Sequence, residues 1–283
     1  MTFKQVLLPL VNSHRTTEVA AIARAVAVAK QLGAAITMMA FDPDDAVRGA
    51  LYTRSFNAEG VGIETTRQHD RHADTATRVR LFEAAADASA VRHSQVLRRC
   101  LPDEVPGEVA NCARTHDVTL VPVRPLDDAN DRIVEALIFT SGRPILLFPE
   151  PSADRLPGSF GHVAIAWDNS AQSARAVADA MPLLQKARMV SIFTAADKNT
   201  AAEIDSGSAM VGYLGSRGVK ATFEMIRKDG QSIGKLLEAF ALQNRADLLV
   251  MGAYRHSRLQ EMILGGATRT ILEQPPCWVL MSH

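Results

Sequence analysis

The fold is decided by Ala246-Asp247-Leu248-Leu249-Val250-Met251-Gly252-Ala253-Tyr254-Arg255-His256-Ser257, followed at a short interval by Leu264-Gly265-Gly266-Ala267-Thr268-Arg269. A short apolar run ends at a glycine, a polar loop follows, and a Gly-Gly pair opens an amphipathic segment over 268–273. This is the order strand, glycine-bearing loop, helix start. Main-chain N–H groups at such a start, reinforced by the helix dipole, make an anion site, so a phosphate-bearing ligand is one reading. The other is that the glycines simply end a strand and permit unusual backbone angles.

Working outward, the second half supplies the rest of an alternating pattern. His162–Trp167 and Met189–Phe193 read as buried strands, with Asp168-Asn169-Ser170 as the cap of a helix over 173–185. Ala174, Val177, Ala178, Met181 and Leu184 are that helix's expected inward stripe. A second helix is expected over 201–217, a strand over 219–226, and a third helix over 232–244 with Ile233, Leu236, Leu237 and Phe240 inward. Cys277–Met281 closes the series.

The first half repeats the order. Residues 5–11 form an apolar run handing over at Asn12-Ser13-His14 to an Ala-rich helix with Val19, Ile22, Ala23, Val26 and Lys30 at helical spacing, ending near Gly33. Ala35–Phe41 is its second strand. A helix over 75–92, a strand over 94–99, a helix over 104–115, strand Val118–Val123, a helix over 131–141 and strand Pro144–Phe148 follow. Residues 42–74, with Gly49, Gly60 and Gly62, have no long period, and Pro149, Pro151, Pro157 and Gly158 read as a linker. Two halves with one order of elements indicate an internal duplication. The expected fold class is α/β, two tandem doubly wound domains over 1–150 and 160–283, each with a five-stranded parallel sheet.

Composition excludes several classes. The 283 residues carry 31 Lys plus Arg against 31 Asp plus Glu, so no basic excess marks a nucleic-acid surface. No run approaches the roughly 18 apolar residues of a membrane span, and the first eleven residues lack the features of a signal peptide, so a cytoplasmic protein is expected. Cys100, Cys112 and Cys277 are too few for a disulfide framework or zinc ribbon and read as core residues. No nucleophile elbow, phosphate-binding G-x4-G-K-[ST] loop or Cys-His pair suggests an enzyme, no catalytic residue is assigned, and at most a slow ATPase is in view. His69, Asp70, His72 and Asp74 match no zinc spacing, and no metal ligands are assigned. Asp127, Asp128 and Asp131 read as a helix-start cluster, and His256 and Arg258 as a solvated loop pair.

The second half resembles a universal stress protein domain. The resemblance rests on Val163-Ala164-Ile165-Ala166-Trp167-Asp168-Asn169-Ser170, on Asp247–Gly252 leading into Ser257-Arg258-Leu259, on Leu264–Leu272 and on the closing strand. The first half matches only in layout and in its first strand and helix. The resemblance implies a flavodoxin-like fold and a crevice at the carboxyl ends of the strands that takes an adenine nucleotide such as ATP, with Mg. It implies Asp168 and the end of the second strand at Phe193 on the adenosine side. Met251, Gly252, Arg255, Gly265, Gly266, Ala267 and Thr268 then fall on the phosphate side. The family's loop is G-x2-G-x9-G-[ST]. Here Arg255 replaces the second glycine and Gly266 the hydroxyl residue. Arg255 could obstruct the ligand or supply it a cation.

The first half has Asn12 for the aspartate and Val121-Pro122-Val123-Arg124-Pro125 for the glycine loop, so its expected role is structural. An intramolecular pseudo-dimer is expected, with room for a homodimer of chains. The partners would be a nucleotide and unidentified proteins, with neither nucleic acid nor membrane. The competing reading is a nucleotide-free scaffold with both crevices degenerate.

Overall fold

The computed structural model describes residues 2–10, 19–43, 75–123, 128–149, 160–197, 200–253 and 266–283. The first half contains β1 (Gln5–Leu10), α1 (Val19–Leu32), β2 (Ala35–Pro43), α2 (75–88), β3 (His93–Cys100), α3 (Val105–Ala113), β4 (Val118–Val123), α4 (Asp128–Ala136) and β5 (Ile145–Pro149). The second contains β6 (His162–Ala166), α5 (Ala171–Leu184), β7 (Met189–Ala196), α6 (Ala201–Gly215), β8 (Ala221–Arg227), α7 (Ile233–Gln243), β9 (Leu248–Gly252), α8 (Gly266–Glu273) and β10 (Trp278–Ser282). No described helix is long and apolar enough to cross a membrane.

The ten described strands form one sheet in the order β3-β2-β1-β4-β5-β10-β9-β6-β7-β8. Each half is a parallel five-stranded doubly wound unit, with helices on both faces. Their closing strands β5 and β10 meet antiparallel, Leu146 opposite Leu280, so each covers the edge the other would expose. The same aspartate pins the base of each half. Asp117 Oδ2 accepts the N–H groups of Lys4 and Gln5 at 2.6 and 2.9 Å, and Asp247 Oδ2 accepts that of His162 at 2.8 Å.

Two apolar layers run the full width of the sheet. One joins Leu8, Val26 and Phe82 to Ile165, Val177 and Val250 through Phe148 and Trp278, and the other joins Leu7, Val121 and Leu137 to Leu249, Ile271 and Val279. At the joint, Phe148 stacks on Trp278 with ring centroids 4.7 Å apart, and Phe160 meets the same indole edge-on at 5.8 Å. The halves therefore share their cores.

Several details differ from the pattern in the sequence. The inward face of α5 is Ser173, Ala176, Val177, Ala180, Leu183 and Leu184, while Ala174 and Ala178 are exposed. On α1, Ala23 and Val19 are exposed and Ala21, Ile22, Ala25, Val26, Val28 and Ala29 are buried. Alanine on most sides of a helix blurs the apolar stripe, so the sheet sets the rotation. The helix expected over 131–141 starts at Asp128 and widens after Ala136 into a π turn, Leu137–Ser141, ended by Gly142 at φ 67°. Thr140 Oγ1 donates to the Ala136 carbonyl at 2.6 Å, a side-chain bond back to i−4 of the kind that distorts helices. Strand β7 runs three residues past Phe193, and β8 starts two residues after Val219.

Candidate functional site

In the second half the chain leaves β6 toward β7 on one side, while β9 on its other side leads to β10. This is the topological switch point of the half, and open α/β sheets hold ligands beyond the carboxyl ends of strands at such points. The strand ends here are Ala166 of β6 and Gly252 of β9, with Ala166 in register with Met251.

Beyond Ala166, Trp167 is fixed from three directions. Its N–H donates to the Phe193 carbonyl at 2.9 Å, its carbonyl accepts the Thr194 hydroxyl at 2.7 Å, and its indole N–H donates to Ser206 Oγ at 2.8 Å. Asp168 follows, exposed, and then Asn169 in the left-handed region at φ 58°. Asparagine tolerates that conformation better than most residues.

Ser170 caps α5 in a capping box with Ser173. Asp168 Oδ1 accepts both the Ser170 N–H at 3.1 Å and its hydroxyl at 2.6 Å. The turn thus holds the carboxylate at the mouth of the crevice.

Gly252 has a specific reason to be glycine. A Cβ there would lie 2.6 Å from the Ser173 nitrogen and 2.7 Å from the Gln172 carbonyl carbon. Its φ is not in the left-handed region, so close approach to the first turn of α5 explains it. Gly266, the first residue of α8, is exposed, and a Cβ there would meet nothing among the described residues within 4 Å. Ala267 is half-buried and Thr268 is buried on the face shared with Ile271 and Leu272.

The expected residues thus fall into three groups. Asp168 and Gly252 flank the crevice at the ends of adjacent strands, and Gly266 opens α8 as an exposed helix start. Phe193 and Met251 are buried, and the Phe193 ring stacks on Phe240 at 3.9 Å in the core below. The Phe193 carbonyl accepts the Trp167 N–H and the Ala196 carbonyl accepts the Lys228 N–H at 3.1 Å, while Thr194, Ala195 and Ala196 continue β7 past Phe193 in register with β8. Arg255 and Gly265 lie outside the described residues, as do His256, Arg258, Asn12, Asp127 and the His69–Asp74 group. In the first half, Asn130 Nδ2 donates to the Pro122 carbonyl and so caps the carboxyl end of β4.

The structure also shows groupings that spacing did not suggest. Lys228 Nζ stands 3.4 Å from Asp197 Oδ2 beyond the ends of β7 and β8. At the opposite end of the sheet, His162 and Ser191 are buried together, with His162 Nε2 3.0 Å from Ser191 Oγ and Nδ1 2.9 Å from the Asn244 carbonyl. A carbonyl can only accept, so Nδ1 carries the proton and Nε2 accepts from the serine. The pair has the contact of a nucleophile and base, but it is enclosed and its bonds are satisfied within the core. Both pairs are far apart in sequence, and only parallel-strand register unites them.

The family model described as "Universal stress protein family" matches residues 159–283. No curated protein sequence matches the chain. Among solved structures, a universal stress protein from Archaeoglobus fulgidus DSM 4304 is similar at 15% identity and a TM-score of 0.72, with 99% of this chain and 97% of that one covered. A functionally unknown protein from Pseudomonas aeruginosa PAO1 is similar at 13% identity and a TM-score of 0.56, with 99% and 92% covered. At these identities the likeness is one of fold, and it spans both halves.

Proposed function

We propose that the second half, whose residues 159–283 match the universal stress protein family model, binds an adenine nucleotide such as ATP, with Mg, in its carboxyl-end crevice, and that occupancy alters a surface read by protein partners. The observation that carries this reading is the placing of the exposed Asp168 carboxylate and Gly252 on adjacent strand ends at the switch point. In the proposed site Asp168 and main chain at the end of β7, after Phe193, face the adenosine. Gly252, Arg255, Gly265, Gly266, Ala267 and Thr268 belong to the phosphate side, beneath which Met251 is core. The N–H groups at the start of α8 supply donors to an anion. Residues 1–150 act as a structural domain paired with the binding domain, 160–283.

Isothermal titration of the intact protein with ATP tests the reading. Saturable binding that Gly265→Arg abolishes is expected, and no detectable binding overturns it.

A nucleotide-free scaffold is the second reading. It is favoured by the burial of Thr268 and by the engagement of Asp168 Oδ1 with Ser170. It expects no binding by the intact protein and a gain of ATP binding in Arg255→Gly.

A further inference from the structure

Because β5 and β10 are antiparallel, the amino end of β5 lies beside the carboxyl end of β10. The π turn preceding β5 therefore stands next to the crevice end of the other half. Phe139 of that turn meets the His283 ring edge-on, with centroids 5.0 Å apart and planes at 70°. His283 Nδ1 in turn donates to the Ala253 carbonyl at 2.9 Å, and the Ala253 N–H donates to the Ser282 carbonyl at 2.9 Å. Ala253, fully buried, is the residue by which the chain leaves β9 and its Gly252.

Both halves also contribute to the apolar layer on the side of the sheet covered by α8. Ile133, Leu137 and Ile138 share one apolar layer with Ile271 and Leu272 of α8. The hydrogen bond and charge of Glu273 raise the Arg269 guanidinium above its ordinary value, with a smaller contribution from the charge of Asp131 on α4. Arg269 lies one turn into α8.

We infer that the first half positions the crevice end of the second, holding Ala253 at the exit of β9 through Phe139 and His283. This rests on the nucleotide-binding reading for its purpose, but the bracing itself is a property of the fold. A half with no glycine loop of its own would thereby still act on the strand end from which its partner half's chain leaves β9. Phe139 and His283 are positioning residues in this scheme, with no contact to a ligand.

Amide hydrogen exchange of the full chain, read residue by residue by NMR, tests it. In Phe139→Ala and His283→Ala, the Ala253 N–H should exchange about fivefold faster or more, since local opening follows the lost contact. The Asp247 N–H, bonded to the His162 carbonyl at 2.9 Å at the other end of the sheet, serves as the internal reference and should hold its rate. His283→Asn keeps a donor near the position of Nδ1 and should restore protection at Ala253. An unchanged Ala253 rate, or equal acceleration at Ala253 and Asp247, overturns the inference. ATP titration of the same variants separates the two claims. Failure of the unmodified protein to bind ATP removes the nucleotide reading, while the exchange rates still decide the bracing.

Discussion

Asp247 and His162 bind each other twice: the Asp247 carboxylate accepts the His162 main-chain N–H at 2.8 Å, and the Asp247 N–H donates to the His162 carbonyl at 2.9 Å. Asp117 and Gln5 make the same reciprocal pair in the first half, at 2.9 Å in both directions. Removing the carboxylate leaves an N–H without its partner at the base of the sheet. Asp247→Ala should lower unfolding stability by about 1–3 kcal/mol, and Asp247→Asn by less because an acceptor oxygen remains. Urea unfolding of the two variants checks the order.

Gly252 and Gly266 should respond oppositely to the same substitution. Gly252→Ala drives a methyl group into the main chain of α5, which cannot yield as a side-chain tip would, and a loss of about 1–3 kcal/mol is expected. Gly266→Ala adds a methyl that meets no described residue within 4 Å and should leave the melting temperature unchanged or raised. Equal effects in thermal melts would contradict the close approach at Gly252.

Besides Gly142 after the π turn, left-handed residues follow four of the described helices: Gly33 after α1, Ala90 after α2, Gly218 after α6 and Arg245 after α7. In each of these four, the next N–H reaches five residues back, as from Val91 to the Ala86 carbonyl and from Ala246 to the Ala241 carbonyl, both at 2.9 Å. A side chain is disfavoured at that angle. Ala90→Gly and Arg245→Gly should each stabilise the protein by about 0.5–1 kcal/mol in denaturant titrations, because the backbone cost outweighs the added freedom of the unfolded chain.

Burial pushes the Cys277 thiol up from an ordinary value near 9 to about 12, with Asp247 adding to the shift. The folded protein therefore holds this proton more tightly than the unfolded chain does. Stability from this group is full below pH 9 and falls as pH rises from 9 toward 12, by about 1.4 kcal/mol per pH unit. Unfolding measured across pH 8.5 to 10.5, a range on the order of two units set by that window, should show a shallower alkaline loss in Cys277→Ala. Parallel slopes would rule the assignment out.

The duplication was legible because buried parallel strands are continuous apolar runs, as in Val163–Ala166 and Leu248–Met251, and because Ser170 and Ser232 mark helix starts. The reach of β7 through Thr194-Ala195-Ala196 was not, since those residues lack the bulk that flags a strand and are held by pairing with β8. The rotations of α1 and α5 were obscured for a related reason, alanine being compatible with either face. At the candidate site, the sequence identified Gly252 but not its purpose. A glycine that ends a strand and one that admits a neighbouring helix look alike until Ser173 is seen against it. The bond from Ser170 to Asp168 is local, and the cap at Asp168-Asn169-Ser170 already hinted at it.

The antiparallel seam between β5 and β10 also gives the molecule a direction. Every strand of one half points its carboxyl end away from those of the other, so the two strand-end surfaces look toward opposite poles across strands of about 17 Å. The strand ends of one half are thus separated from those of the other by the length of the strands themselves. Duplication of a unit whose strands all run one way has thereby produced a sheet that is two-faced along its strand axis, with the strand ends of its two halves turned from each other.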